Sequence, residues 1–162
     1  MTKHFQSLIT DLWKRFDMEP PVFYEIDSIV LSVDDIDLKF QECMDGQHVD
    51  VIGDAGVLSD DPVQEERQIS SILQHNLARW LNNRTCVCTE KSLDGSVMLR
   101  CYGRYAYASR NVGVLVNIVE EVLGVTEHWY SELMQGVAES QDMRRRQMST
   151  QLDMEDAVLF KA

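Results

Sequence analysis

Residues 97–134, VMLRCYGRYAYASRNVGVLVNIVEEVLGVTEHWYSELM, decide the fold. A strand runs from Val97 to Ala106, and a short polar break follows it. Asn111 then opens a helix as a good N-cap. Leu115, Val116, Val119, Val122, Leu123, Trp129, Tyr130, Leu133, Met134 and Val137 recur at helical spacing and form one apolar stripe. Gly124 interrupts that stripe at a cost of about 1 kcal/mol relative to Ala, which suggests a bend or a break.

Upstream of this unit, residues Thr85 to Ala106 form a hairpin around Asp94-Gly95. A two-residue loop there sets Cys88 opposite Cys101 and Glu90 opposite Leu99. A second helix precedes the hairpin, with Pro62 near its start and Asn82-Asn83 at its stop. Its stripe is Ile69, Ile72, Leu73, Asn76, Leu77, Trp80 and Leu81. Gly53 to Asp61 reads as a loop. Before that loop, Ile36, Leu38 and Phe40 alternate with Asp37, Lys39 and Gln41, the period of a half-buried strand. A turn at Asp45-Gly46 then places Phe40 against Val51 and Leu38 against Gly53, which puts every apolar residue of both strands on one face. Ile26 to Val33 is a further strand, broken by Asp34-Asp35. The first helix carries Phe5, Leu8, Ile9, Leu12 and Phe16 on one face. Thr2 is its N-cap, and Pro20-Pro21 bar any continuation.

The order is α-β-β-β-α-β-β-α. It predicts an α+β fold, an antiparallel sheet packed with helices, in one domain over residues 1–139. From about Ser140 the chain turns polar and charged, so residues 140–162 read as a mobile tail that orders only on a partner.

The chain has 162 residues and a net charge of −12. That field repels phosphate backbones and excludes nucleic acid as an expected partner. No apolar run approaches the roughly 20 residues of a membrane span. Asp11 inside the first apolar pattern argues against a signal peptide, so a cytoplasmic location with four reduced cysteines is expected.

Three thiols, Cys86, Cys88 and Cys101, could meet on the last hairpin. Cys-x-Cys is too tight for the usual zinc spacing, however, and no second ligand pair follows. Small apolar residues on a core face are the simpler reading. His4, His48, His75 and His128 are scattered over separate elements. Gly53-x-x-Gly56 lacks the residues of a nucleotide loop, and the acidic clusters lack the ordered spacing of a calcium loop. No catalytic residue, metal or cofactor is therefore expected. Trp13 lies beside the first helix's stripe and Trp80 ends the second's. Both look like surplus apolar surface, which in such a protein means a partner.

The element order, size and acidity resemble the class I type III secretion chaperones of the CesT-like family. Ile72-Leu73-Gln74-His75-Asn76-Leu77 looks like the Leu-Leu-x-x-Asn segment of that family's second helix. Leu93-Asp94-Gly95-Ser96-Val97-Met98-Leu99 looks like its last hairpin turn, and Trp129 with Leu133 looks like the close of its third helix. The resemblance covers residues 3–137. A longer tail and a first strand without the glycine-rich pattern depart from it.

The resemblance implies a homodimer in the bacterial cytoplasm with no enzymatic activity. Its interface would be Ile69, Ile72, Leu73, Asn76, Leu77, Trp80 and Val87. It implies a client, the N-terminal chaperone-binding segment of an effector, held extended and export-competent near Phe5, Leu8, Leu12, Ile36, Leu38 and Phe40. The secretion ATPase or sorting platform is a further implied partner. A same-fold regulatory adaptor that binds a secretion-system component is the first alternative, and a small thiol or metal enzyme the second. A chelator should leave the melting temperature of the purified chain unchanged. A clear drop, with zinc or iron released, would favour the metal reading.

Overall fold

The computed structural model describes residues 2–23, 28–79 and 84–159, with side chains through Gly136. Helix α1 (Lys3–Arg15) begins where Thr2 Oγ1 accepts from the Phe5 N–H at 3.2 Å. It closes before the prolines. Asp17 takes a φ of 57°, and the Met18 N–H donates to the Trp13 carbonyl. Strands β1 (Ser28–Val33), β2 (Ile36–Glu42) and β3 (His48–Val57) follow, then helix α2 (Pro62–Arg79), strands β4 (Thr85–Lys91) and β5 (Val97–Ala106), and helix α3 (Val112–Leu159). A short 3-10 turn, Tyr107–Ser109, joins β5 to α3. The five strands form one antiparallel sheet in the order β1-β2-β3-β5-β4. The expected α+β element order is therefore present. Ile26 of the expected first strand, Leu81 and the Asn82-Asn83 stop lie outside the described residues.

The helix start expected near Pro62 and the cap expected at Asn111 both form. Asp61 Oδ1 accepts from the N–H groups of Val63 and Gln64, with Pro62 at the first helical position. Asn111 Oδ1 accepts from the Gly113 N–H at 2.9 Å.

The β2–β3 hairpin has the expected register, with Leu38 opposite Gly53 and Phe40 opposite Val51. Its loop is wider than two residues. The Gly46 N–H donates to the Cys43 carbonyl and the Cys43 N–H to the His48 carbonyl, but the loop stays centred between Asp45 and Gly46. The β4–β5 hairpin corrects the expectation. Val87, not Cys88, faces Cys101, and Thr89, not Glu90, faces Leu99. Asp94 Oδ1 accepts from the N–H and hydroxyl of Ser96, and the Ser92 N–H donates to the Ser96 carbonyl. This closes an odd-numbered loop centred on Asp94, which slips the register by one and turns Cys86 and Cys88 to the other face.

Gly53 to Val57 is strand rather than loop. A bulge between Asp54 and Gly56 keeps β3 paired, with Gly56 at a φ of 127°. The buried face of α3 is Leu115, Ile118, Val119, Val122, Val125, Thr126, Trp129 and Leu133. Ile118 and Val125 belong to it, whereas Tyr130 and Met134 of the expected stripe are exposed, and the side chain of Val137 lies outside the described residues. The α3 backbone passes Gly124 without a break and continues beyond residue 140.

α1 and α3 cover one face of the sheet. Trp13 is part of this core, not surplus surface: it is buried and meets Phe40 edge to face at 5.6 Å. α3 sits unusually close to β3 and β5 because two glycines lie beneath it. A Cβ on Gly53 would stand 2.2 Å from Thr126 Oγ1, and one on Gly103 would stand 2.5 Å from Ile118 Cγ2 and 2.7 Å from Val122 Cγ2. The opposite face is polar. Arg104 grips Asp50 through two bonds of 2.7 and 3.0 Å, and Arg100 joins Asp54 to Glu90.

Gly53→Ala should destabilise the chain by about 1–3 kcal/mol in urea unfolding, the usual cost of overpacking a close contact. The double variant Gly53→Ala/Thr126→Ala should recover part of that loss. Strict additivity would show that the contact does not limit the approach of α3.

Candidate functional site

The two edges of the sheet differ. At the β4 edge, α2 lies alongside the strand and Asn76 faces its backbone. Asn76 Nδ2 donates to the Val87 carbonyl at 2.7 Å, and the Val87 N–H donates to Asn76 Oδ1 at 2.9 Å. The carboxamide thus imitates a neighbouring strand and satisfies an edge residue that would otherwise be open. Among the described residues, the β1 edge pairs only with β2 on its inner side, and Val30 is 53% exposed there.

Of the residues expected at a dimer interface, Ile72 and Val87 are buried within the chain. Ile69, Leu73 and Leu77 stand one helical turn apart and are 38%, 63% and 77% exposed. They form an apolar ridge on α2 that no described residue covers. Trp80 lies outside the described residues. Of the residues expected at a client groove, Phe5, Leu12, Leu38 and Phe40 are fully buried, Leu8 is almost so, and Ile36 is half-buried. The fold brings all six together, but as packing between α1 and the sheet. Beside Leu8 a cavity of about 510 Å³ opens between α1, the β2–β3 turn and the start of α3, lined also by His4, Asp11, Gln47, Tyr107 and Arg110.

Near this cavity, Glu42 ties α1 to the sheet. It accepts from the Thr2 N–H, the Thr2 hydroxyl and the Tyr107 hydroxyl. Burial opposes ionisation, yet these donors outweigh it and hold the carboxyl below its ordinary range. Burial first, then the bond to Glu42, pushes the Tyr107 phenol upward.

The thiols do not converge. Cys86 and Cys88 share the open face with sulfurs 3.7 Å apart, while Cys101 is buried on the other face. Burial, then the neighbouring Cys88, pushes the Cys86 thiol up to about 11, and burial also brings Cys101 to about 11. Both stay protonated near neutrality, the unreactive form. Among the described residues, no group of three His, Cys, Asp or Glu side chains could hold a metal ion. No described helix is long and apolar enough to cross a membrane.

One constellation escaped the sequence. His75 of α2 and His128 of α3 stack with ring centroids 5.9 Å apart, and each meets Trp129 edge to face at 5.5 Å. The only available signal was that His75 and Trp129 fall on the inward sides of two helices later found to be adjacent.

No protein-family model matches the chain, and no curated protein matches it by sequence. Solved structures do match. The HopA1-SchA chaperone-effector complex aligns with a TM-score of 0.61 and 15% identity, over 79% of this chain and 94% of that one. The Yersinia pestis type III secretion chaperone SycH, in complex with a stable fragment of YscM2, aligns with a TM-score of 0.60 and 13% identity, over 77% and 98%. The chain has the fold of the type III secretion chaperones. That chaperone fold is not confined to secretion. YbjN from E. coli, described as a candidate transcription regulator, aligns at 0.51 with 14% identity, over 72% and 83%. Fold alone therefore leaves function to the surfaces.

Asn76→Ala should cost about 1–3 kcal/mol, the penalty for leaving edge groups of Val87 without partners. It should also speed hydrogen exchange at the Val87 amide. Unchanged exchange would mean that water replaces the carboxamide at no cost.

Proposed function

We propose that the chain is a type III secretion chaperone. It binds the N-terminal segment of an effector and keeps that segment extended and export-competent. What supports this reading is a chaperone fold whose sheet has one edge held by Asn76 at Val87 and the other left open among the described residues. An extended segment adds to an open edge through backbone hydrogen bonds, and its alternate side chains fill the flanking grooves. The client's apolar side chains lie along α1 and β2, where Ile36 offers surface and Leu8 lines the cavity. Phe5, Leu12, Leu38 and Phe40 form the floor beneath.

Two copies join through α2. The Ile69-Leu73-Leu77 ridge forms the heart of that interface, with Ile72, Asn76 and Val87 behind it and Trp80 at its end. The protein works by binding, not catalysis, in the bacterial cytoplasm. Residues 1–139 act as the chaperone domain and residues 140–162 as its tail, and the secretion ATPase or sorting platform is a further partner. The same surfaces would serve a regulatory adaptor, whose partner is a secretion-system component in place of an effector.

A tagged pull-down from the native bacterium, read by mass spectrometry, separates these roles. One dominant effector, retained through its N-terminal segment after limited proteolysis, is the expected result. Sorting-platform or regulatory proteins in its place favour the adaptor. Leu73→Asp with Leu77→Asp should halve the mass measured by light scattering without unfolding the chain. Leu8→Asp should release the client and leave the dimer intact. Loss of client and dimer together in Leu8→Asp would make Leu8 a core residue only, and a monomeric parent chain would remove the proposed interface.

A further inference from the structure

Two of the four histidines meet where α2 rests on α3, and no established role accounts for them. His75 is half-buried, His128 is exposed, and Trp129 is buried against both. His75 Nε2 and Trp129 Nε1 are buried with no hydrogen-bond partner. We propose that this contact is a proton-operated latch: protonation of His75 releases α2 from α3, and with it Asn76 from the β4 edge.

The argument is one of unmet demands. A protonated imidazole carries an N–H on both nitrogens. At Nε2 that N–H would point into a buried space with no acceptor, beside an indole nitrogen that is itself only a donor. The groups that act on the ring offer no compensation. On its own helix it faces Arg79, a cation, and on α3 it faces the His128 ring, and neither is an anion that could pair with the proton's charge. Glu132, one turn beyond His128, is exposed and has no hydrogen bond to either ring. Burial first, then Arg79 and His128, hold the His75 imidazole below its ordinary range.

The direction of the switch follows. With α2 docked, His75 resists the proton. With α2 released, the ring takes up a proton near the ordinary value of about 6.5. The docked state therefore binds fewer protons. It is fully favoured above about pH 6.5 and loses ground as the pH falls below it, by up to about tenfold per pH unit for one proton. Because Asn76 is one residue from His75, release uncovers the backbone of Val87 at the same time.

Hydrogen exchange of the full-length chain between about pH 5 and 8, corrected for the intrinsic pH dependence of exchange, tests the latch. The expected result is that amides of α2 and the Val87 amide open together, increasingly below about pH 6.5. His75→Phe keeps a ring in place but cannot titrate, and its profile should be flat. A flat profile in the parent chain, or the same slope in His75→Phe, overturns the proposal. If His75→Phe fails to fold, NMR titration of the parent chain decides. The His75 ring signals and the α2 amide signals should move with one midpoint, and separate midpoints overturn the latch.

Discussion

Everything in this molecule is arranged around the missing side chains at Gly53 and Gly103. They sit on neighbouring strands β3 and β5, on the face that α3 covers, and they let Thr126, Ile118 and Val122 settle almost onto the sheet backbone. Thr126 can be buried there because its hydroxyl donates to the Val122 carbonyl at 2.7 Å within its own helix. With α3 set deep over the middle of the sheet, α1 is left the flank over β2, where Trp13 meets Phe40. α2 is left the rim at β4. The exposed ridge on α2 follows from this crowding. Only Ile72 among its described residues is buried, so Ile69, Leu73 and Leu77 face outward.

Periodicity revealed the elements and their order well, because alternation and helical spacing are local properties of the chain. It failed where a tertiary contact reinterpreted a local signal. Gly53 and Gly56 look like loop residues, yet one makes room for α3 and the other carries a bulge. Asp94-Gly95 looks like a two-residue turn, yet the side chain of Asp94 bonds Ser96 and adds one residue to the loop. That single residue moved Cys86 and Cys88 across the sheet. The first hairpin escaped this fate because its wider loop stayed symmetric about Asp45-Gly46.

The candidate site was legible in chemistry but not in exposure. Phe5, Leu12, Leu38 and Phe40 are as apolar as expected, but an amphipathic face records only that a residue avoids water, not which surface it avoids water against. Asn76 is the reverse case. A polar residue in an apolar stripe signals a buried demand, and here the demand is the backbone of an edge strand. The pairing of His75 with His128 required knowing that α2 and α3 touch, which no window of sequence contains.

The closed β4 edge also bears on how such a protein survives at high concentration. A sheet open on both sides behaves as a bifunctional monomer: each added strand offers a fresh end, and growth can run on into a fibre. With Asn76 holding the backbone of Val87 at the middle of β4, strand addition is hindered on that side and the sheet acts as a chain stopper. Strands could then be added only at β1, the side given to the client, so polymerisation would terminate early.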